Sequence, residues 1–230
     1  MNTKALASKK IVITAGPTRE AIDPVRFISN HSTGKMGYAI AETLHQLGAD
    51  VTVISGPVSI KTTLPSTSII QVVSADEMLE ATQKLAKNAD VIVFTAAVAD
   101  YKCEHIATQK IKKKENKLQL NLVPNVDIAF TISQNKTENQ VFIGFALETE
   151  NGVENAILKL KRKKFDSVVL NLQTEAGSGF GYDTNRIQII KSDESILQFE
   201  QKLKTEVAVD IAQHIVQLLE EKSELNFYAK

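Results

Sequence analysis

The feature that most constrains this chain is alternation. Short β-branched runs such as Lys10-Ile11-Val12-Ile13-Thr14-Ala15 and Asp90-Val91-Ile92-Val93-Phe94-Thr95 recur between stretches whose apolar residues fall every three or four positions. A run that is apolar on both pleat faces is how a strand buried between helix layers reads. The periodicity predicts strands over 10–15, 50–55, 69–73, 90–95, 141–146 and 167–171, with helices over 36–47, 75–87, 126–134, 151–164 and 207–221. A hairpin is expected from 185–191 and 195–200, and Leu118, Leu120 and Leu122 alternate with polar residues as a half-exposed strand would. Ser32 and Thr33 are candidate caps of the first helix, Gly48 its stop, and Asn125 the cap of the helix that follows Pro124. Strands separated by helices imply right-handed crossovers. The expected fold is therefore α/β: a Rossmann-like, doubly wound, mostly parallel sheet with helices on both faces and a C-terminal hairpin. It forms one domain over 1–230, with 222–230 as a frayed tail.

Composition excludes several classes. Lys and Arg number 27 against 27 Asp and Glu, so no overall charge draws the 230-residue chain to nucleic acid or anionic lipid. The single Cys103 rules out a disulfide scaffold and a thiolate metal cluster. No uncharged apolar stretch nears the roughly 18 residues of a membrane span. His31, His45, His105 and His214 lack the spacing of zinc ligands. A cytoplasmic protein is expected, with no nucleic-acid or membrane partner.

In open α/β sheets ligands bind beyond the carboxyl ends of the strands. The loop after the first strand runs through Gly16-Pro17-Thr18-Arg19-Glu20, Asp23-Pro24-Val25-Arg26 and Ser29-Asn30-His31-Ser32-Thr33-Gly34-Lys35-Met36-Gly37. That is far longer than the usual connection of about two to six residues. Backbone amides around Thr33 to Lys35, at the positive end of a helix, form either an anion seat aided by Arg19, Arg26 or Lys35, or a turn that merely caps the helix. Asp100, after the small residues 96–99, serves a ribose or Mg²⁺, or caps a turn. Lys110 to Lys117 is a basic run, either solvated surface or a source of charge for a polyphosphate. Phe145 stacks on a base or packs in the core, and Lys159 and Lys163 share one helical face by their i, i+4 spacing. The Gly-rich segment 177–185 suits a lid or a plain turn.

Familiar nucleotide signatures are missing. Ser32-Thr33-Gly34-Lys35-Met36 lacks the first Gly and the Mg-binding hydroxyl of a P-loop, and the first turn lacks GxGxxG. The second strand ends Ile54-Ser55-Gly56 without an acid for a ribose.

Together these segments resemble the phosphopantothenoylcysteine synthetases of coenzyme A biosynthesis in their bacterial, CTP-using form. The likeness is carried by residues 13–20, 23–26, 28–37, 96–101 and 110–113, by Asn125, by Gly144-Phe145-Ala146, and by Gly179-Phe180 and Asp183-Thr184-Asn185. It implies a ligase that joins 4′-phosphopantothenate and L-cysteine through an acyl-cytidylate, converting CTP to CMP and pyrophosphate with Mg²⁺. It further implies that Lys110 acts on the leaving pyrophosphate and that Asn30 holds the acyl intermediate. Ala96, Ala97, Asp100, Lys110, Val126, Asp127, Ile128, Ala129, Phe145, Lys159 and Lys163 match nucleotide contacts, and Arg26, Asn30 and Ala97 match phosphopantothenate contacts. A homodimer is implied, as is a decarboxylase half that is either a separate protein or excised from a fusion. Rival readings on the same fold are an NAD(P)-dependent oxidoreductase and a non-catalytic nucleotide sensor.

Overall fold

The computed structural model describes residues 4–113, 117–148, 150–172 and 181–228. Residues 177–180 of the Gly-rich segment and 114–116 of the basic run lie outside them. The main sheet contains β1 (Lys10–Ala15), β2 (Asp50–Ser55), β3 (Ile69–Gln71), β4 (Val91–Phe94), β5 (Val141–Glu148), β6 (Ser167–Leu172), β7 (Ile187–Lys191) and β8 (Ile196–Gln198). Their spatial order is β8-β7-β6-β5-β4-β1-β2-β3. Neighbours from β3 to β6 are parallel, whereas β7 and β8 close the sheet as antiparallel strands. This is the expected Rossmann-like α/β arrangement with its C-terminal hairpin.

Two apolar layers explain why the strands read as continuous hydrophobic runs. On one face Ile11, Ile13, Val51, Val53, Val91, Val93, Val141 and Ile143 pack with α1 (Lys35–Gln46) and α5 (Lys204–Tyr228). On the other, Val12, Ile54, Ile92, Phe94, Phe142, Val168 and Leu170 meet α2 (Ala75–Ala86), α3 (Ile128–Ser133) and α4 (Gly152–Arg162). Chain order reverses between β1 and β4, which opens a crevice where their crossovers diverge to opposite faces.

Several boundaries differ from expectation for physical reasons. The residue capping α1 is Gly34, at φ 77°, and neither Ser32 nor Thr33 caps it through a side chain. A left-handed backbone there suits glycine. Asp127, rather than Asn125, caps α3 by accepting from the Phe130 amide at 3.1 Å. Asn125 instead donates Nδ2 to the Ala99 carbonyl at 3.1 Å, tying two crevice loops together. The last helix runs past Glu221 to Tyr228, since no Gly or Pro stops it.

Leu118, Leu120 and Leu122 do not form the expected half-exposed strand. All three are exposed, and only Leu122 is in a strand, Leu122–Pro124, paired with Tyr101–Cys103. This ribbon stands off the main sheet, as does the pair Arg19–Ala21 and Phe27–Ser29. No helix among the described residues is long and apolar enough to cross a membrane.

Candidate active site

The crevice at the carboxyl ends of β1, β4, β5 and β6 is a cavity of about 360 Å³, within the range typical of small-molecule sites. Most of its wall comes from four continuous chain segments that the sheet brings together. Residues 32–37 lead into α1, residues 94–100 leave β4, residues 125–129 enter α3, and residues 144–147 belong to β5. Phe94 also stacks with Phe165 at 5.6 Å and meets Phe142 edge-on at 5.7 Å, so an interlocked aromatic cluster backs the wall.

The first intrahelical bond of α1 runs from the Tyr38 amide to the Gly34 carbonyl at 3.1 Å, so the amides of Lys35, Met36 and Gly37 precede it. That geometry favours an anion at this end of the cavity. Lys35 forms a 2.6 Å ion pair with Asp183, whose carboxyl the Lys35 hydrogen bond and charge hold below its ordinary range. Lys204 lies on the same side, with its pKa lowered by burial and by the Lys35 charge against the pull of Asp183.

Lys159 and Lys163 do share a face of α4, yet their partners differ. Lys159 Nζ donates to the Phe145 carbonyl at 2.5 Å, and its pKa is lowered by burial and by the nearby Lys163, against Glu148, Asp127 and Asp100. Lys163 forms a 2.7 Å ion pair with Asp127. Burial alone would raise the Asp127 pKa, but the Lys163 hydrogen bond, the Phe130 amide and the charges of Lys163 and Arg162 outweigh it.

Ala96, Ala97, Asp100, Val126, Asp127, Ile128, Ala129, Phe145, Lys159 and Lys163 all line this cavity. Asn30, Arg26 and Lys110 are not among its lining residues. Asn30 sits beside it, donating Nδ2 to the Ala97 and Val98 carbonyls at 3.1 Å each. Arg26 is bound to Asp23, and Lys110 is exposed on the following loop.

Asn171, Asn185 and Lys204 line the cavity and were not among the expected site residues. Asn171 is 9% exposed at the end of β6, and its Oδ1 finds no hydrogen-bond partner among the described residues. A polar residue that ends the apolar run Val168-Val169-Leu170 was the available signal. No group of three or more His, Cys, Asp or Glu side chains among the described residues is placed to hold a metal ion.

Residues 6–219 match the model of the DNA/pantothenate metabolism flavoprotein C-terminal domain. The chain belongs to this family. It is 44% identical over 216 residues to a cysteine/cysteine sulfinic acid decarboxylase from an unknown prokaryotic organism, covering 94% of this chain and 60% of that protein. It is 42% identical over 213 residues to the coenzyme A biosynthesis bifunctional protein CoaBC of Haemophilus influenzae strain Rd, covering 92% of this chain and 52% of that protein. The chain thus spans little more than half the length of these relatives. Among solved structures, the C-terminal domain of a CoaBC protein superposes with a TM-score of 0.80 at 39% identity, covering 95% of this chain and 99% of that one. In this family member the cavity sits at the fold's ligand-binding edge.

Proposed function

We propose that this family member is a CTP-dependent phosphopantothenate–cysteine ligase, acting in the cytoplasm as a single domain. The observation that carries this reading is the convergence of Ala96, Ala97, Asp100, the α3 entrance, Phe145, Lys159 and Lys163 on one cavity, in the pattern that the resemblance assigns to CTP. The bifunctional coenzyme A protein and the solved CoaBC domain among its relatives support it.

In the proposed reaction a carboxylate oxygen of 4′-phosphopantothenate attacks the α-phosphorus of CTP, and the bond to the bridging oxygen of pyrophosphate breaks. The cysteine amine then attacks the acyl carbon, CMP leaves with the bonding pair, and the amine loses a proton. A carboxylate approaching a triphosphate is repelled, so cationic groups must offset the charge that builds on the leaving group. Lys159, Lys163 and Lys35 supply cations at the cavity, and Lys110 is assigned to the pyrophosphate. The Val126 to Ala129 backbone and the Phe145 ring bound the space for the nucleoside. Asn30, its amide tied to the Ala97 and Val98 carbonyls, holds the acyl group, and Arg26 binds phosphopantothenate.

Mg²⁺ fits the donor set. It is usually held by one or two carboxylates together with substrate phosphates, and Asp100 offers an exposed carboxylate on the cavity wall. Bound there it would draw negative charge off the phosphates.

Because Arg26 and Lys110 lie outside the cavity wall of one chain, whereas Asn30 is tied to the wall of its own, we assign Arg26 and Lys110 to completing the site in a homodimer. The exposed apolar side chains of Phe27, Tyr101, Ile106 and Leu122, on or beside the two stand-off ribbons, suit that contact. A decarboxylase half, separate or once fused, would act on the product.

The test is nucleoside monophosphate release with Mg²⁺, 4′-phosphopantothenate and cysteine, run with CTP and with ATP. CMP only in the complete mixture supports the reading. AMP instead would overturn the choice of nucleotide, and neither product would overturn the ligase. Lys110→Ala is expected to abolish turnover, and Asn30→Asp to accumulate the acyl-cytidylate.

A further inference from the structure

We propose that Asp23 and Arg26 form a clamp on the loop that carries Lys110, which makes Asp23 a positioning residue for the first half-reaction. The proposal rests on the role given to Lys110 above. The Asp23 side chain is fully buried in the turn between Arg19–Ala21 and Phe27–Ser29. Its Oδ1 accepts from the amides of Val25 and Arg26 at 2.8 Å each, which closes that turn. Those bonds need nothing from elsewhere in the chain. Its Oδ2, however, accepts from Arg26 Nε at 3.0 Å and from the Ile111 amide at 3.1 Å. Arg26 Nη2 bonds the same Oδ2 and also donates to the Ile111 carbonyl at 2.9 Å.

One ion pair therefore grips both the N–H and the C=O of Ile111, the residue that follows Lys110, and so holds the two peptide units on either side of it. A second tether, from the Ala107 amide to the Ile22 carbonyl at 3.0 Å, holds the other end of the span. Lys110 lies between the two anchors with its side chain exposed. A buried carboxylate is costly unless its lone pairs are used, and here five donor atoms converge on one. The Arg26 hydrogen bond, above all, holds the Asp23 carboxyl well below the usual range. Arg26 also cancels a negative charge that would otherwise draw the Lys110 ammonium inward.

The clamp is read first without nucleotide, by amide hydrogen exchange of the whole chain. Asp23→Asn is expected to speed exchange at Ile111 by about tenfold or more, the worth of a hydrogen bond to a charged group, while β1 and β4 amides stay protected. If Asp23→Asn loosens the sheet as well, Arg26→Lys reads the same exchange, since that side chain is 40% exposed and outside the sheet. The catalytic arm follows acyl-cytidylate formation. Asp23→Asn should lower kcat while the KM for CTP stays within about twofold, and should cost nothing further when added to Lys110→Ala, whose residual acyl-cytidylate formation is read in a single turnover with enzyme in excess. A merely structural role would multiply the two losses.

Unchanged Ile111 exchange in both variants overturns the clamp, and multiplying losses overturn the positioning role. If Lys110→Ala keeps full turnover, the role of Lys110 has failed and the positioning role falls with it. The exchange result still decides the clamp separately.

Discussion

Pointing the Lys159 ammonium inward at the Phe145 carbonyl takes it partly out of water, and burial together with Lys163 lowers its pKa from 10.5. The unfolded chain holds that proton more firmly, so between the lowered value and 10.5 stability rises with pH, and below that window the full cost remains. Replacing the charge by an apolar chain of similar length relieves the cost. Lys159→Met is expected to raise Tm by about 2–4 °C, the equivalent of about 1 kcal/mol in a chain of this size, while weakening CTP binding by about tenfold or more. Calorimetry on the empty protein and titration with CTP check the two halves, and a fall in Tm would contradict the first. Helical spacing made Lys159 and Lys163 legible as a pair. Their different partners were not, because Asp127 and Phe145 come to α4 from other elements.

Between elements, the close approach of α1 to the sheet rests on Gly37. A Cβ there would lie 2.4 Å from Thr95 Oγ1 and 2.7 Å from Ala15 Cβ. Gly37→Val should push the start of α1 away from the β1 and β4 ends, at a cost of about 1–3 kcal/mol by overpacking. Nucleotide affinity should fall with it, and urea unfolding and CTP titration read both. On the opposite edge of the sheet, α5 docks on β6 through a buried 2.7 Å bond between His214 Nε2 and Ser167 Oγ. Burial, then the Lys191 charge, lowers the His214 pKa from 6.5 to about 4, against the pull of Asp166. The unfolded state takes up this proton first, so stability is expected to decline as pH falls from 6.5 toward 4, by up to about 3 kcal/mol. His214→Asn should flatten that decline, and an unaltered slope would assign it to other groups. The central strands were readable because burial on both faces leaves an unbroken apolar run. The ends of elements were not: Gly34 and Asp127 cap their helices in place of Ser32, Thr33 and Asn125 because loop packing selects the cap.

At the scale of the whole molecule, the proposed site divides between what one chain encloses and what it holds outside. Lys159 lines the cavity, whereas Lys110 lies on a loop pinned to the Asp23 turn and is absent from that wall. The alternation of Leu118, Leu120 and Leu122 reads as half burial, yet all three are exposed in one chain, as an unmet partner surface would leave them. If a homodimer completes each cavity with the neighbour's loop, two inactive variants can restore each other. Coexpressing Lys110→Ala chains with Asn30→Asp chains, which stall at the acyl-cytidylate, forms mixed dimers in which one cavity has its own intact Asn30 and faces an intact Lys110, while the other has neither. Random pairing makes half the dimers mixed, so about a quarter of wild-type turnover should return from two preparations that have none alone. If Lys110 serves the cavity of its own chain, every site in the mixed dimers carries one defect and no activity returns. A monomer in solution would give the same silence, so the mass of the wild-type protein, measured alongside, separates a wrong assembly from a wrong assignment of Lys110.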